Sequence, residues 1–146
     1  MHKLWLAIGI TAVLAGCGTT QTSMSEARPV PSAFVYASQN AVPQDGAKLT
    51  VVRDSGFAGG GCRVGLFVDG KRVADLEPKE MVTVHVKSGQ RILGVGPAAN
   101  GRGLCSLVGS EVMREREAQF EPGQERYFRM SVVTSGDLDL SPVTRP

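Results

Sequence analysis

The stretch RVGLFVDGKRVADL, residues 63–76, decides the fold. Val64, Leu66 and Val68 alternate with Gly65 and Phe67, the period-two pattern that turns one face of a strand toward a core. Asp69-Gly70 then falls between Val68 and Lys71. A two-residue Asp-Gly connection is favoured in type I′ hairpins because both central residues of that turn need positive φ. KRVADL (71–76) is the return strand, so the stretch predicts an antiparallel hairpin.

The pattern continues on both sides. MVTVHVK (81–87) is the strongest alternation in the chain, with Val82, Val84 and Val86 inward and Thr83, His85 and Lys87 outward. Ser88-Gly89 predicts a turn, after which QRILGVG (90–96) is expected to pair back. Upstream, KLTVVR (48–53) sets Leu49 and Val51 against Thr50 and Val52, and AFVYAS (33–38) is a first strand or an ordered arm. Downstream, SEVMREREAQF (110–120) contains good helix formers. Val112, Ala118 and Phe120 nevertheless share one face of a strand. With EPGQ (121–124) as a turn and ERYFRMSVV (125–133) alternating, a long edge hairpin over 110–133 is preferred to a helix.

Composition agrees with short strands and tight turns. The chain has 146 residues, 18 glycines and only 5% aromatic residues, with valine plentiful. Its 16 basic and 14 acidic residues are interspersed and leave a net charge of +2, with no basic block of the kind nucleic-acid binding uses. The expected fold is all-β: a small antiparallel β-sandwich of about seven or eight strands over 32–136, followed by a loose tail at 137–146.

The amino-terminal region has a different character. His2 and Lys3 precede LWLAIGITAVLA (4–15), an uncharged run. At about 1.5 Å per residue it falls well short of the roughly 30 Å of a bilayer core. A charged start, a short apolar middle and small residues at the end describe a secretory signal peptide, here residues 1–16. Leu14-Ala15-Gly16-Cys17 resembles the lipobox of bacterial lipoproteins. The resemblance implies cleavage before Cys17 and acylation of Cys17, and Gly18 in place of Asp favours the outer membrane. One acyl chain binds membranes with an association constant of only about 10⁴ M⁻¹, so stable anchoring takes more than one. GTTQTSMSEARPVP (18–31) is polar and proline-tipped. Together with Cys17 it is expected to form a lipidated, flexible tether, 17–31, able to reach about 43 Å at roughly 3.1 Å per residue.

If Cys17 carries lipid, Cys62 and Cys105 remain as a pair. In an oxidising compartment they are expected to form a disulfide, closing a loop of about 44 residues worth roughly 4 kcal/mol by chain entropy. A zinc pair or a catalytic thiol is the alternative. The two cysteines lack the close spacing of zinc ligands, and neither adjoins a histidine.

The segment LEPKEMVTVHVKSGQRILGV, with the Asp-Gly hairpin before it, resembles the small β-sandwich of PEGA-like domains and related bacterial envelope lipoproteins. The similarity covers residues 64–96. REREAQFEPGQERYFRMSV is similar to the closing hairpin of such lipoproteins. EPKE (77–80) stands near the place of the Pro-Glu-Gly-Ala tetrad that names the group, and the tetrad itself is absent. The resemblance implies an accessory or interaction module.

Motifs of catalysis do not appear. His85 is the one histidine after the signal, and neither HExxH nor GxSxG occurs. GFAGGGC (56–62) lacks the GK[ST] ending of a phosphate loop, and GVGPAANGRG (94–103) is read the same way, as a plain loop. A Cys62–Cys105 bond would bring these loops together and present Arg63 and Arg102 as a partner-contact surface. Glu111, Arg114, Glu115, Arg116 and Glu117 read as a solvated face that discourages edge aggregation. The expectation is a non-enzymatic envelope lipoprotein without metal or cofactor, facing the periplasm. Its partners would be the bilayer, through Cys17, and envelope proteins, with no nucleic acid. An envelope glycan- or peptide-binding module is the alternative, and an enzyme the least favoured class.

Overall fold

Two β-sheets pack face to face in the computed structural model, which describes residues 19–37, 44–56, 61–98, 113–133 and 137–144. In chain order the strands are β1 (Arg28–Pro29), β2 (Gly46–Arg53), β3 (Val64–Val68), β4 (Lys71–Leu76), β5 (Glu80–Lys87), β6 (Gly89–Pro97), β7 (Arg114–Phe120), β8 (Glu125–Val132) and β9 (Leu138–Val143). One sheet has the order β1-β5-β2-β8-β9 and the other β4-β3-β6-β7. The all-β sandwich is as expected. Among the described residues there are nine strands where seven or eight were expected.

The core lies between the sheets. Leu49, Val51, Val82, Val84, Val86, Phe128, Met130, Leu138 and Leu140 meet Val64, Leu66, Ala74, Leu76, Leu93, Val95, Ala118 and Phe120 there. On β5 the inward valines are buried while Thr83 and Lys87 are exposed and His85 is half-buried, as the alternation requires. The Asp-Gly hairpin is also as read. Asp69 and Gly70 have φ of 49° and 74°, the left-handed pair of a type I′ turn, and Val68 faces Lys71. The Asp69 carboxylate accepts from the Ile92 amide at 3.0 Å, which ties the turn to β6.

The other two expected hairpins do not form. β5 pairs with β1 and β2, whereas β6 crosses to the opposite sheet and pairs with β3 and β7. The chain turns over at Gly89, whose φ is +95°. Likewise β7 pairs with β6, while β8 lies in the other sheet beside β2 and β9. Each of these pairs of consecutive strands contributes its apolar face to one core from opposite sides. Alternation fixes which face is inward and leaves the neighbour open. Residues 114–120 are strand, as preferred over a helix, and 110–112 lie outside the described residues.

The sheets are also not wholly antiparallel. β2 runs parallel to β8, with Lys48 facing Glu125 and Arg53 facing Met130, and β1 runs parallel to β5. The fold is therefore a mixed sandwich.

Both flanks expected to be loose are instead structured where described. Residues 138–143, placed in a loose tail, form β9, with Leu138 and Leu140 at 2% and 3% exposure. Pro142 is compatible with this strand because β9 is at the edge of its sheet. The segment expected as a flexible tether is docked from Thr19 onward. The Thr19 hydroxyl donates to the Val132 carbonyl at 2.6 Å, and Thr20 and Ser55 form a two-way backbone bridge. Arg28 and Val30 amides donate to Lys79 and Met81 carbonyls at 2.8 and 3.0 Å, and Val30 enters the core. A polar composition conceals this because the attachment is mainly through backbone groups, which cover the open edge of β5. Ser32–Phe34 then form a short 3-10 helix, and Val35 bridges Ala74 on β4. The arm thus spans from one sheet to the other along one side of the sandwich.

Phe120, fully buried and last in β7, tests the sheet crossing. Phe120→Ala is expected to lower unfolding stability by about 3–5 kcal/mol, read as a shifted urea midpoint.

Candidate functional site

The densest polar arrangement lies where the arm meets the end of the sandwich formed by Arg53, Cys62–Arg63 and the 75–80 turn. Arg53 ends β2 on its inward face and is 2% exposed. Its guanidinium donates to the Leu76 carbonyl at 2.6 Å and to the Cys62 carbonyl. Its own carbonyl accepts from the Lys79 amide at 3.0 Å. Burial pulls the Arg53 pKa down to about 10, against the nearby charges of Glu80 and Glu77 that hold it up. It remains a cation at neutral pH. A buried arginine here satisfies two carbonyls of chain entering and leaving the hairpin, which water cannot reach.

Arg63 is the hub. Its guanidinium donates to Glu80 at 3.0 Å and to the Asp75 carbonyl at 2.9 Å, and it pairs with Glu77 at 3.1 Å. Its plane lies 3.6 Å from the centre of the Phe34 ring. Glu80, 3% exposed, also accepts the Glu77 amide at 2.7 Å. Asp75, 2% exposed, accepts the Tyr36 hydroxyl at 2.8 Å and Arg72 at 2.7 Å. Arg72 continues to the Pro97 carbonyl at 3.0 Å and lies over the Phe67 ring. Gly65 makes room for this stack, since a Cβ there would sit 2.5 Å from the Arg72 Nη1.

A second clamp holds the arm on the other sheet. Asp54 accepts the Thr22 amide at 2.9 Å and is ion-paired with Arg129, whose guanidinium also donates to the Thr22 carbonyl at 3.0 Å. Thr22 is thereby gripped by both its backbone groups. The two clamps use their charges on each other and on backbone atoms. Chemically, the arrangement fixes the arm.

Of the residues singled out in the sequence, Arg63 is placed differently from expectation. It was expected on a partner-contact surface, yet its side chain is 16% exposed and its donors face inward. Arg102, expected beside it, lies outside the described residues, as do Cys17 and Cys105. Cys62 is 7% exposed. It is the one cysteine among the described residues, and Cys105, its expected partner, lies outside them. Among the described residues no group of three or more His, Cys, Asp or Glu side chains, His85 included, is placed to hold a metal. Gly94 and Gly96 fall both in the strand expected over 90–96 and in the loop expected over 94–103; they belong to β6 and carry Met113 and Phe67 side chains against them. Sequence reasoning missed the clamp residues Arg53, Asp54, Asp75, Glu80 and Arg129. The one available signal was Arg53 at an inward position of an alternating strand.

No known protein-family model matches the chain, and no curated protein matches it in sequence.

Arg63→Ala leaves Glu80 buried without its cation. The expected loss is about 3–5 kcal/mol, whereas a rim residue would change stability by less than about 0.5 kcal/mol. Chemical denaturation separates the two, and adding Glu80→Gln is expected to recover part of the loss.

The Tyr36 hydroxyl is raised above its ordinary pKa by burial first, then by its hydrogen bond to Asp75 and by the Asp75 charge. A raised acid favours the folded state while neutral. Its contribution is complete below the unfolded value near 10 and is lost as pH climbs through the folded value. The chain has two tyrosines, so in a Tyr127→Phe background the phenolate absorbance at 295 nm reads Tyr36 alone. Its midpoint is expected above that of the urea-unfolded chain.

Proposed function

We propose that this chain is an exported lipoprotein, its signal (1–16) removed and Cys17 acylated. It stands on the outer membrane facing the periplasm and serves as a non-enzymatic interaction or assembly module of the envelope. Cys62 is paired with Cys105, and the sandwich is akin to PEGA-like domains. One observation supports the reading: Thr19, two residues beyond the cysteine of the lipobox-like motif, is hydrogen-bonded to the Val132 carbonyl of the folded domain. In the sequence only Gly18 stands between Cys17 and this docked residue. No helix among the described residues is long and apolar enough to cross a membrane.

An envelope glycan- or peptide-binding module is the second reading. A polar cleft of about 430 Å³, lined by Gly123, Gln124, Glu125, Arg126, Tyr127 and Val143, favours it. It opens at the end of the sandwich away from the arm clamps.

Expression in an export-competent bacterium tests both readings. Mass spectrometry is expected to give a chain beginning at an acylated Cys17, with Cys62 and Cys105 joined. Cys17→Ala is expected to abolish partition into the detergent phase. An unmodified chain beginning at Met1 in the soluble fraction would overturn the anchoring. Co-purification of a stoichiometric envelope protein is the outcome for an assembly module, and retention on isolated peptidoglycan is the outcome for the alternative.

A further inference from the structure

We infer that the end of the sandwich carrying Thr19–Thr22, Asp54–Ser55 and Val132–Val133 lies flush against the lipid headgroups. The inference rests on acylation of Cys17 as proposed above and adds which face of the domain meets the bilayer.

The argument is one of reach. Thr19 is held by Val132, and Thr20 by both backbone groups of Ser55. Only Gly18 separates Thr19 from Cys17. Two residues of fully extended chain span at most about 7 Å. The acyl chains of Cys17 belong in the hydrocarbon, which puts its backbone in the headgroup layer, itself only about 5–8 Å deep per leaflet. Thr19 therefore cannot rise clear of that layer while its hydrogen bonds hold. The free spacer expected from the sequence would have allowed about 43 Å. The docked arm removes nearly all of it.

Strand directions identify the rest of this end. β2 and β8 finish there and β5 and β9 start there. Lys79, Val133 and Met113 are exposed at this end, the last two being 40% and 39% exposed. A cleft of about 320 Å³ opens beside the arm, lined by Thr20, Gln21, Thr22, Glu26, Ser55 and Lys79. The Thr22 hydroxyl is buried there without a hydrogen-bond partner. Hydroxyls, an amide, an ammonium, the Glu26 carboxylate and scattered apolar side chains match the mixed zwitterionic and apolar chemistry of a headgroup layer. Lys87, at the far end of β5, stands about 24 Å away at roughly 3.4 Å per residue.

Tryptophan reporters test the orientation. The single tryptophan of the sequence is Trp5, inside the proposed signal, so a processed chain has none. Val133→Trp and, as a second reporter at the same end, Gln21→Trp are compared with Lys87→Trp. Each full chain is purified from membranes and reconstituted in phosphatidylethanolamine–phosphatidylglycerol vesicles containing a headgroup nitroxide lipid. Both near-end tryptophans are expected to be quenched several-fold more than Lys87→Trp. A twelve-residue Gly-Ser insert between Gly18 and Thr19 is expected to remove the difference. Equal, weak quenching at all three positions, in chains shown by mass to be acylated and shown by flotation to be vesicle-bound, overturns the orientation and leaves the anchor standing. Chains that neither carry lipid nor float overturn the anchor and the orientation with it.

Discussion

Arg63 holds together parts of the chain that nothing local would unite. Its guanidinium meets Glu80 at the start of β5, Glu77 in the preceding turn, the backbone of Asp75 on β4 and the ring of Phe34 in the arm. Two sheets packed only by their apolar faces can slide and splay at an open side. The arm closes that side, and Arg63 together with the Tyr36–Asp75 hydrogen bond fixes where it lands. Removing the guanidinium would leave a carboxylate in a dry place, so the cluster is sensitive to the loss of any one member. It specifies an arrangement more than it adds net stability.

Arg53 has a related role beneath it. An arginine at the last inward position of β2 would be a fault in a purely apolar core. Here the strand runs out where the Cys62 and Leu76 carbonyls need donors, and the guanidinium reaches both. The cost of desolvating it is written in its lowered pKa, and the nearby acidic side chains offset part of that cost.

The sequence makes the sandwich and its inward faces legible because both depend on local facts. The valines of β5 announce their face by alternation, and Asp69-Gly70 announces its turn by the backbone it tolerates. Strand partnership is different. β6 follows β5 with only Ser88 between them, yet its neighbours are β3 and β7. Nothing in QRILGVG states whether it folds back in its own layer or crosses to face it. The arm was illegible for another reason. Residues 19–29 are attached through amides, carbonyls and hydroxyls that every polar sequence possesses; Thr22 is buried but polar, and Val30 just beyond them is the buried apolar residue. Arg63 was singled out for a role at the surface. Which way a charged residue just before a strand points is decided by Glu80 and Phe34, far away in sequence or on another element.

The parallel pairing of β2 with β8 constrains the order in which the chain can assemble. Lys48 lies beside Glu125, and Thr19 waits for Val132, 113 positions later. The amino-terminal end is synthesised first, so both must remain without their partners until nearly all the chain has emerged. Closing such distant contacts is slow, on the order of milliseconds to seconds for β proteins of this kind. During that interval the valine-rich flank of β2 is bare on the side β8 will occupy, where it invites mispairing. That flank stays open until the last quarter of the protein arrives.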